Sequence, residues 1–159
     1  MATATTNFQT VQTLTVTNLH SMIDGDFWQS AVIDNGTVLG FWMEVFITIL
    51  TTTTAAADAN GTIDLYYAGS VDGGTDFAGG ASGTEGSYAI TGNNDEKHLD
   101  FIRSFSCDAI ETAARTYKYR AVIFDLSEDF ALVIANQCGA TLGSATNAVE
   151  YRINKYDSA

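Results

Sequence analysis

The chain has 159 residues, of which 46% are hydrophobic and only 16% are charged, and its formal net charge is −12. This length suits one domain with a proper hydrophobic core, so we expect residues 1–159 to form a single domain whose polar surface is mainly Thr, Ser, Asn and Gly. The acidic charge opposes binding to nucleic acid and to anionic membranes, since both present negative charge.

The N-terminal residues 1–11 contain neither a basic region nor an apolar core, so they do not match a secretory signal peptide. We expect them to form a flexible arm ahead of the domain. Residues 13–17 then alternate as Thr-Leu-Thr-Val-Thr, which is the period-two pattern of a half-buried strand.

The dipeptide Asn35-Gly36 separates two β-rich runs, residues 27–34 and 37–50, and is the clearest local signal in the chain. Asn-Gly favours a type I′ turn, so the sequence predicts a hairpin here. The second run has apolar residues on both of its alternating faces, which predicts a central strand with one side on the core and the other side covered. The same run is interrupted by polar residues and is too short to span a bilayer.

Further strands are predicted between acidic or Gly-rich turns, and they complete a set of about eight. They are residues 62–68, 99–105, 117–124, 130–136 and 149–156. The first of them is expected to pair with residues 41–51, and a short segment at 108–115 is the only plausible helix. This spacing is that of a β-sandwich or a closed sheet, and we predict an all-β, antiparallel β-sandwich that is jelly-roll-like.

A long loop of Gly, Ser, Thr, Asp and Ala follows the strand-like residues 65–67 and continues to Tyr88. Loops of this length in a compact chain are usually functional or touch a partner. Asp72 and Asp76 are weak candidates for calcium binding, because two carboxylates lie four residues apart, but Asp-Gly is also a common turn former. Phe77 and Tyr88 either anchor the loop to the domain or contact a partner. We expect all four residues to belong to an interface.

The other chemistry-bearing residues predict no cofactor and no catalytic centre. Cys107 and Cys138 are too few for a zinc site or a disulfide scaffold, so buried free thiols are predicted, and a single bridge between adjacent strands stays open. Residues 80–83 come nearest to the G-x-S-x-G nucleophile pattern, but they lack the flanking strand and helix. A hydrolase would need an unrecognised carboxylate pair in a cleft, with one strongly raised pKa.

Four motifs, taken in order, resemble those of small virion structural proteins of tailed bacteriophages: SAVIDNGT (30–37), IDLYYAGSVDGGTDF (63–77), FALVIANQCGATL (130–142) and NAVEYRINKY (147–156). The resemblance spans about residues 10–156. It implies a single β-sandwich without an enzymatic centre that serves the particle as a capsid decoration (cement) protein, or as a tail or neck component. Related sequences often carry a Pro-containing turn before the strand that begins at Phe130, and this chain has Leu-Ser-Glu-Asp there.

The resemblance also implies partners and a location. The partners are the phage major capsid protein or tail proteins, with self-association or many copies on the particle, and the location is the virion after assembly in the host cytoplasm. The sequence keeps one alternative from another class, a carbohydrate-binding module for host attachment. That module would need an exposed Trp28 or Trp42 to stack on a sugar ring.

Overall fold

A computed structural model describes residues 4–52, 60–70, 72–89, 98–107 and 113–158, and these ranges form an all-β sandwich. Single 3-10 turns lie at Thr17–Leu19 and Ala78–Gly80. No helix in the described ranges is both long enough and apolar enough to cross a membrane. The strands are β1 (Ala4–Phe8), β2 (Gln12–Thr13), β3 (Phe27–Gln29), β4 (Ile33–Asp34), β5 (Trp42–Thr51), β6 (Thr62–Gly69), β7 (Gly86–Tyr88), β8 (Asp100–Ser106), β9 (Arg115–Phe124), β10 (Asp129–Gln137) and β11 (Ala148–Ser158).

Two antiparallel sheets pack against each other, as the sequence predicted. Sheet A has the order β1-β11-β5-β9, and β2 also pairs with β11. Sheet B has the order β7-β3-β10-β6-β8, and β4 also pairs with β10. The described ranges contain eleven strands, whereas the sequence predicted about eight. The difference arises because the alternation pattern does not detect very short strands such as β2 and β4. The core between the sheets includes Met43, Val45, Ile47, Ile49, Leu65, Phe130, Leu132, Ile134, Val149 and Ile153.

The prediction of a central strand at β5 is confirmed. β5 lies between β11 and β9, and its odd-numbered residues from Met43 to Ile49 are buried in the core. On its outer face Trp42 and Phe46 are half-buried, and Glu44 is completely covered. Period-two alternation therefore assigned the core face of this strand correctly, whereas the outer face is only partly covered.

The hairpin predicted at Asn35-Gly36 is wrong, because the two runs that it joins belong to different sheets. β4 pairs with β10 in sheet B, whereas β5 belongs to sheet A. Asp34 accepts a hydrogen bond from the Gly36 amide at 2.7 Å, which closes a local turn. The Asn35 side chain accepts from the Gly40 amide at 2.8 Å and donates to the Ser127 carbonyl at 3.2 Å. Asn-Gly thus forms a corner between the sheets.

Three further expectations need correction or lie outside the description. Residues 4–8, expected in a flexible arm, form β1 and extend sheet A by pairing with the otherwise open edge of β11. β6 pairs with β10 and β8 and not with β5, because its buried residues on both faces suit the middle of sheet B. Of the helix expected at 108–115, residues 108–112 lie outside the described ranges, and Arg115 begins β9.

Candidate interaction surface

The loop that the sequence singled out folds back onto the outer face of sheet B. Phe77 and Tyr88 are only 7% and 5% exposed. They pack with Phe27, Tyr66 and Leu99 in a second apolar cluster on that face, and the Tyr88 hydroxyl donates a hydrogen bond to the Gly79 carbonyl. Phe77 and Tyr88 therefore anchor the loop, and their side chains present no area to a partner in this arrangement.

Asp72 organises the turn at the tip of the loop. One of its carboxylate oxygens, Oδ1, accepts hydrogen bonds from the Asp76 amide at 2.8 Å, the Thr75 amide at 3.2 Å and the Ser70 hydroxyl at 3.0 Å. The hydrogen bond from the Asp76 amide is the largest cause that lowers the pKa of Asp72 below its ordinary value, and burial acts in the opposite direction. Among the described residues, no group of three or more His, Cys, Asp or Glu side chains could hold a metal ion. The two carboxylates are exposed turn residues.

Two polar contacts attach the second half of the loop to β3. The Ser82 hydroxyl accepts from the Gln29 side chain at 2.7 Å, and the Ser82 amide donates back to Gln29 at 2.9 Å. Glu85 accepts from the Trp28 indole N–H at 2.9 Å. Burial raises the pKa of Glu85, but hydrogen bonds from Asn18 and Trp28 outweigh it and hold that pKa below its ordinary value. Trp28 is fully buried, so its ring is not available for stacking on a sugar.

A row of aromatic side chains crosses the outer face of sheet A instead. Phe8 of β1 meets Trp42 of β5 edge to face, with 6.0 Å between the ring centroids. Trp42 lies directly opposite Phe124 of β9, and Val122 is two residues further along the same face of β9. Phe8 and Phe124 are 56% and 66% exposed. Exposed apolar side chains in a contiguous group are typical of a contact site.

The row continues around the end of the sandwich to Leu39 and Phe41. The Asp125 amide, next to Phe124, donates to the Phe41 carbonyl at 3.2 Å. Leu39 and Phe41 are 72% and 61% exposed and line a hollow of about 590 Å³. Leu39 has φ +51, a left-handed conformation that is unfavourable for Leu. We call these six residues, Phe8, Leu39, Phe41, Trp42, Val122 and Phe124, the Trp42 surface.

A cluster of charges lies beside the Trp42 surface. Glu44 accepts hydrogen bonds from Arg120 and Arg152, which come from the two strands that flank β5. The Arg152 guanidinium carbon lies 4.8 Å from the Phe8 ring centroid, within cation–π distance. One carboxylate between two guanidinium groups leaves this cluster with a local charge of +1 on a chain whose net charge is −12. The Trp42 surface is thus apolar with Arg120 and Arg152 beside its aromatic row, whereas Asp125 and Glu128 line the hollow at its Leu39–Phe41 end.

One signal for this surface is present in the sequence, on the alternating positions of β9. Lys118, Arg120, Val122 and Phe124 occupy alternate positions and therefore share one face of β9. β9 and β11 together contain five of the seven Lys and Arg residues of the chain. Aromatic residues and Arg are both enriched at protein interfaces, so their combination on one strand face is the pattern to look for.

Comparisons with known proteins do not add to this description. No model of a known protein family matches the chain, and no curated protein matches its sequence. The function must therefore be inferred from the residues of the Trp42 surface and from the order of the sequence motifs.

Proposed function

We propose that the chain is a non-enzymatic structural protein of a tailed-phage particle, a capsid decoration subunit that binds the shell through the Trp42 surface. The order of the sequence motifs supports the particle as its location. The single observation that supports contact as its mode of action is the aromatic row on the outer face of sheet A, in which the exposed rings of Phe8 and Phe124 flank the half-buried Trp42. A tail or neck position would use the same surface with another partner.

The chemistry of the Trp42 surface defines the partner that fits it. The aromatic row favours an apolar footprint, and the Arg120 side chain stays 61% exposed beside it. A shell protein with an apolar patch flanked by carboxylates is complementary to both features. Repulsion between acidic regions elsewhere is screened beyond about 10 Å at ordinary salt concentration. The charges that remain relevant are the arginines beside the aromatic row and the carboxylates Asp125 and Glu128 in the hollow, so we place the partner's carboxylates against the arginine side.

The proposed contact is small, and this suits a subunit that is present in many copies. A standard stable interface uses about 20–30 residues a side, and the Trp42 surface is centred on six. A single contact is then weak. Copies that also touch each other on a symmetric lattice gain avidity without any additional contact to the shell.

The proposal can be tested on purified particles. Particles are prepared without the protein and incubated with the purified wild-type chain or with the double variant Phe41→Ser, Phe124→Ser. We expect wild type to reach a fixed stoichiometric occupancy and the double variant to bind at least tenfold more weakly. Ile23→Ser is the matched control, because Ile23 is as exposed as Phe8 and lies outside the Trp42 surface. Particle imaging then distinguishes the shell from the tail or neck.

Two results would count against the proposal in different ways. If the folded double variant occupies particles as well as wild type does, the Trp42 surface is not the contact. If the wild-type chain is found only in the cytosol of infected cells and never on particles, the structural role itself is wrong.

A further inference from the structure

The two cysteines lie on either side of one glycine at the end of sheet B. Cys107 follows β8 and Cys138 follows β10, and both strands pair with β6, since Ser106 and Gln137 are each opposite Thr62. Gly61 precedes Thr62, and its carbonyl accepts a hydrogen bond from the Cys107 amide at 2.8 Å. Both cysteines are free thiols with no exposed area, as the sequence predicted.

Gly61 allows the two cysteines to approach each other. A Cβ atom on residue 61 would lie 2.7 Å from the Cys138 Cα, which is closer than real contacts allow, so the backbone of Cys138 passes directly over the glycine. Both side chains belong to the same core cluster, and the Cys107 side chain is close enough to affect the pKa of Cys138. The Cys138 sulfur donates to the Ala140 carbonyl at 3.3 Å. The two sulfurs are therefore neighbours inside the core, although they come from strands that do not pair.

Cys138 is the thiol that we assign to the first attack. The hydrogen bond from Cys107 is the largest cause that lowers the pKa of the Cys138 thiol below its ordinary value of 9.0, and burial opposes it. A thiol with a lowered pKa has a larger thiolate fraction, and the thiolate is the species that attacks disulfides. The neighbouring Cys107 is then placed to resolve the product.

We propose that Cys107 and Cys138 are an oxidation site that closes to an intramolecular disulfide by exchange with a low-molecular-weight disulfide such as oxidised glutathione. The Cys138 thiolate attacks one sulfur of the reagent, forms a mixed disulfide and releases one thiolate. The Cys107 thiolate then attacks the Cys138 sulfur, and the second reagent thiolate leaves. The protein loses two electrons and two protons, and the reagent becomes two thiols.

The product would join the ends of β8 and β10 across β6. The crosslink closes a chain segment that includes all of β9, which reduces the entropy of the unfolded state. It would form after the chain leaves the reducing cytosol, because disulfides persist in oxidising surroundings. Both sulfurs are buried, so the reagent reaches them only when this end of the sheet opens locally, and we expect slow oxidation of the folded chain.

Mass spectrometry of the full-length folded chain tests the site. After incubation with oxidised glutathione, we expect a monomer that has lost two hydrogen atoms, a peptide map without reduction that links Cys107 to Cys138, and a higher Tm. The same incubation in urea measures the rate without the barrier of local opening. The variants Cys107→Ala and Cys138→Ala are the controls, and each should stop at a single glutathione adduct or remain unreacted.

Several outcomes would overturn the inference. A stable single glutathione adduct on the wild-type chain would show that the second thiol cannot reach the first. A covalent dimer would show that the thiols react between chains. An unchanged mass in the folded state, together with closure in urea, would show that the native arrangement prevents the reaction. The wild-type measurement decides the inference even if the alanine variants fail to fold.

Discussion

Glu44 and Arg152 lie directly opposite each other on β5 and β11, and the Arg152 Nε donates a hydrogen bond to the Glu44 carboxylate. Arg120 donates to the other carboxylate oxygen from β9, so three strands of sheet A are joined by one acidic side chain. Glu44 is almost completely buried between the two guanidinium groups. Burial raises the pKa of Glu44, but the hydrogen bonds and charges of Arg152 and Arg120 outweigh it and lower the pKa below 4.5.

Glu44→Gln is expected to lower the free energy of unfolding at neutral pH by about 1–3 kcal/mol, because two arginines lose their anionic partner. Solvent screening of the exposed Arg120 keeps the figure below that of a fully buried pair. A lowered pKa stabilises the fold above the ordinary value of 4.5, and this contribution is lost as the pH falls through the lower folded-state value.

Urea unfolding at neutral and acidic pH measures that difference. The gap between wild type and Glu44→Gln should be widest at neutral pH and should shrink in acid. Glu150→Gln, on the same face of sheet A, is the control and should have a smaller effect. A gap that does not change with pH would mean that the ion pairs contribute nothing.

Leu39→Asn is expected to stabilise the isolated chain and to weaken its binding to particles. Asn adopts the left-handed conformation at φ +51 more readily than Leu does, so the fold should gain about 0.5–1 kcal/mol. The substitution also removes the most exposed apolar side chain of the Trp42 surface. Measured on the same preparation, the Tm of the variant should be higher than that of wild type and its occupancy on particles should be lower. If both decrease, Leu39 contributes to folding and not to contact.

Phe77→Ala is expected to destabilise the fold by about 3–5 kcal/mol, because the side chain is buried in the apolar cluster beneath the loop. Phe101→Ala provides a matched comparison. Phe101 is 57% exposed and meets Tyr66 on the same face of sheet B, so its removal should lower stability by about 1 kcal/mol or less. Chemical denaturation of the two variants measures the difference. Equal effects would place Phe77 at the surface in solution.

Gly83→Ala is expected to destabilise the loop through its contact with Phe77. Gly83 has φ +63, and an added Cβ would lie 2.6 Å from the Phe77 ring. The left-handed conformation alone costs Ala about 1–2 kcal/mol, and the clash adds to this. In the Phe77→Ala background the conformational cost and a milder contact with Val32 at 3.0 Å should remain, so a double-mutant cycle should show strong coupling. Additive effects would contradict the contact.

Alternation along the strands could be predicted from the sequence, but the pairing of the strands could not. The core face of β5 followed directly from its period-two pattern. The corner at Asn35 could not be recognised, because it depends on a hydrogen bond to Ser127, 92 residues away. Local turn chemistry favours a hairpin at Asn-Gly, and the tertiary partner of Asn35 decides otherwise.

The same limit applies to the candidate site. The composition of the loop does not indicate whether Phe77 faces solvent or the sheet, because that depends on the apolar outer face formed by β3, β6 and β10. The Trp42 surface is formed only when β1, β11, β5 and β9 lie side by side, and their order in sheet A differs from their order in the chain. Its residues come from four separate segments, so no single motif contains it.

Pairing of β1 with β11 brings the start of the first strand beside the end of the last. Ala4 is opposite Ser158, and neighbouring strands lie about 5 Å apart. These ends project past the start of β5, on the side where Trp42 lies. A cargo attached next to Ala4 or Ser158 would therefore crowd the Trp42 surface. A cargo inserted in a connection at the opposite end of the sandwich would lie away from that surface, and every strand would keep its neighbours.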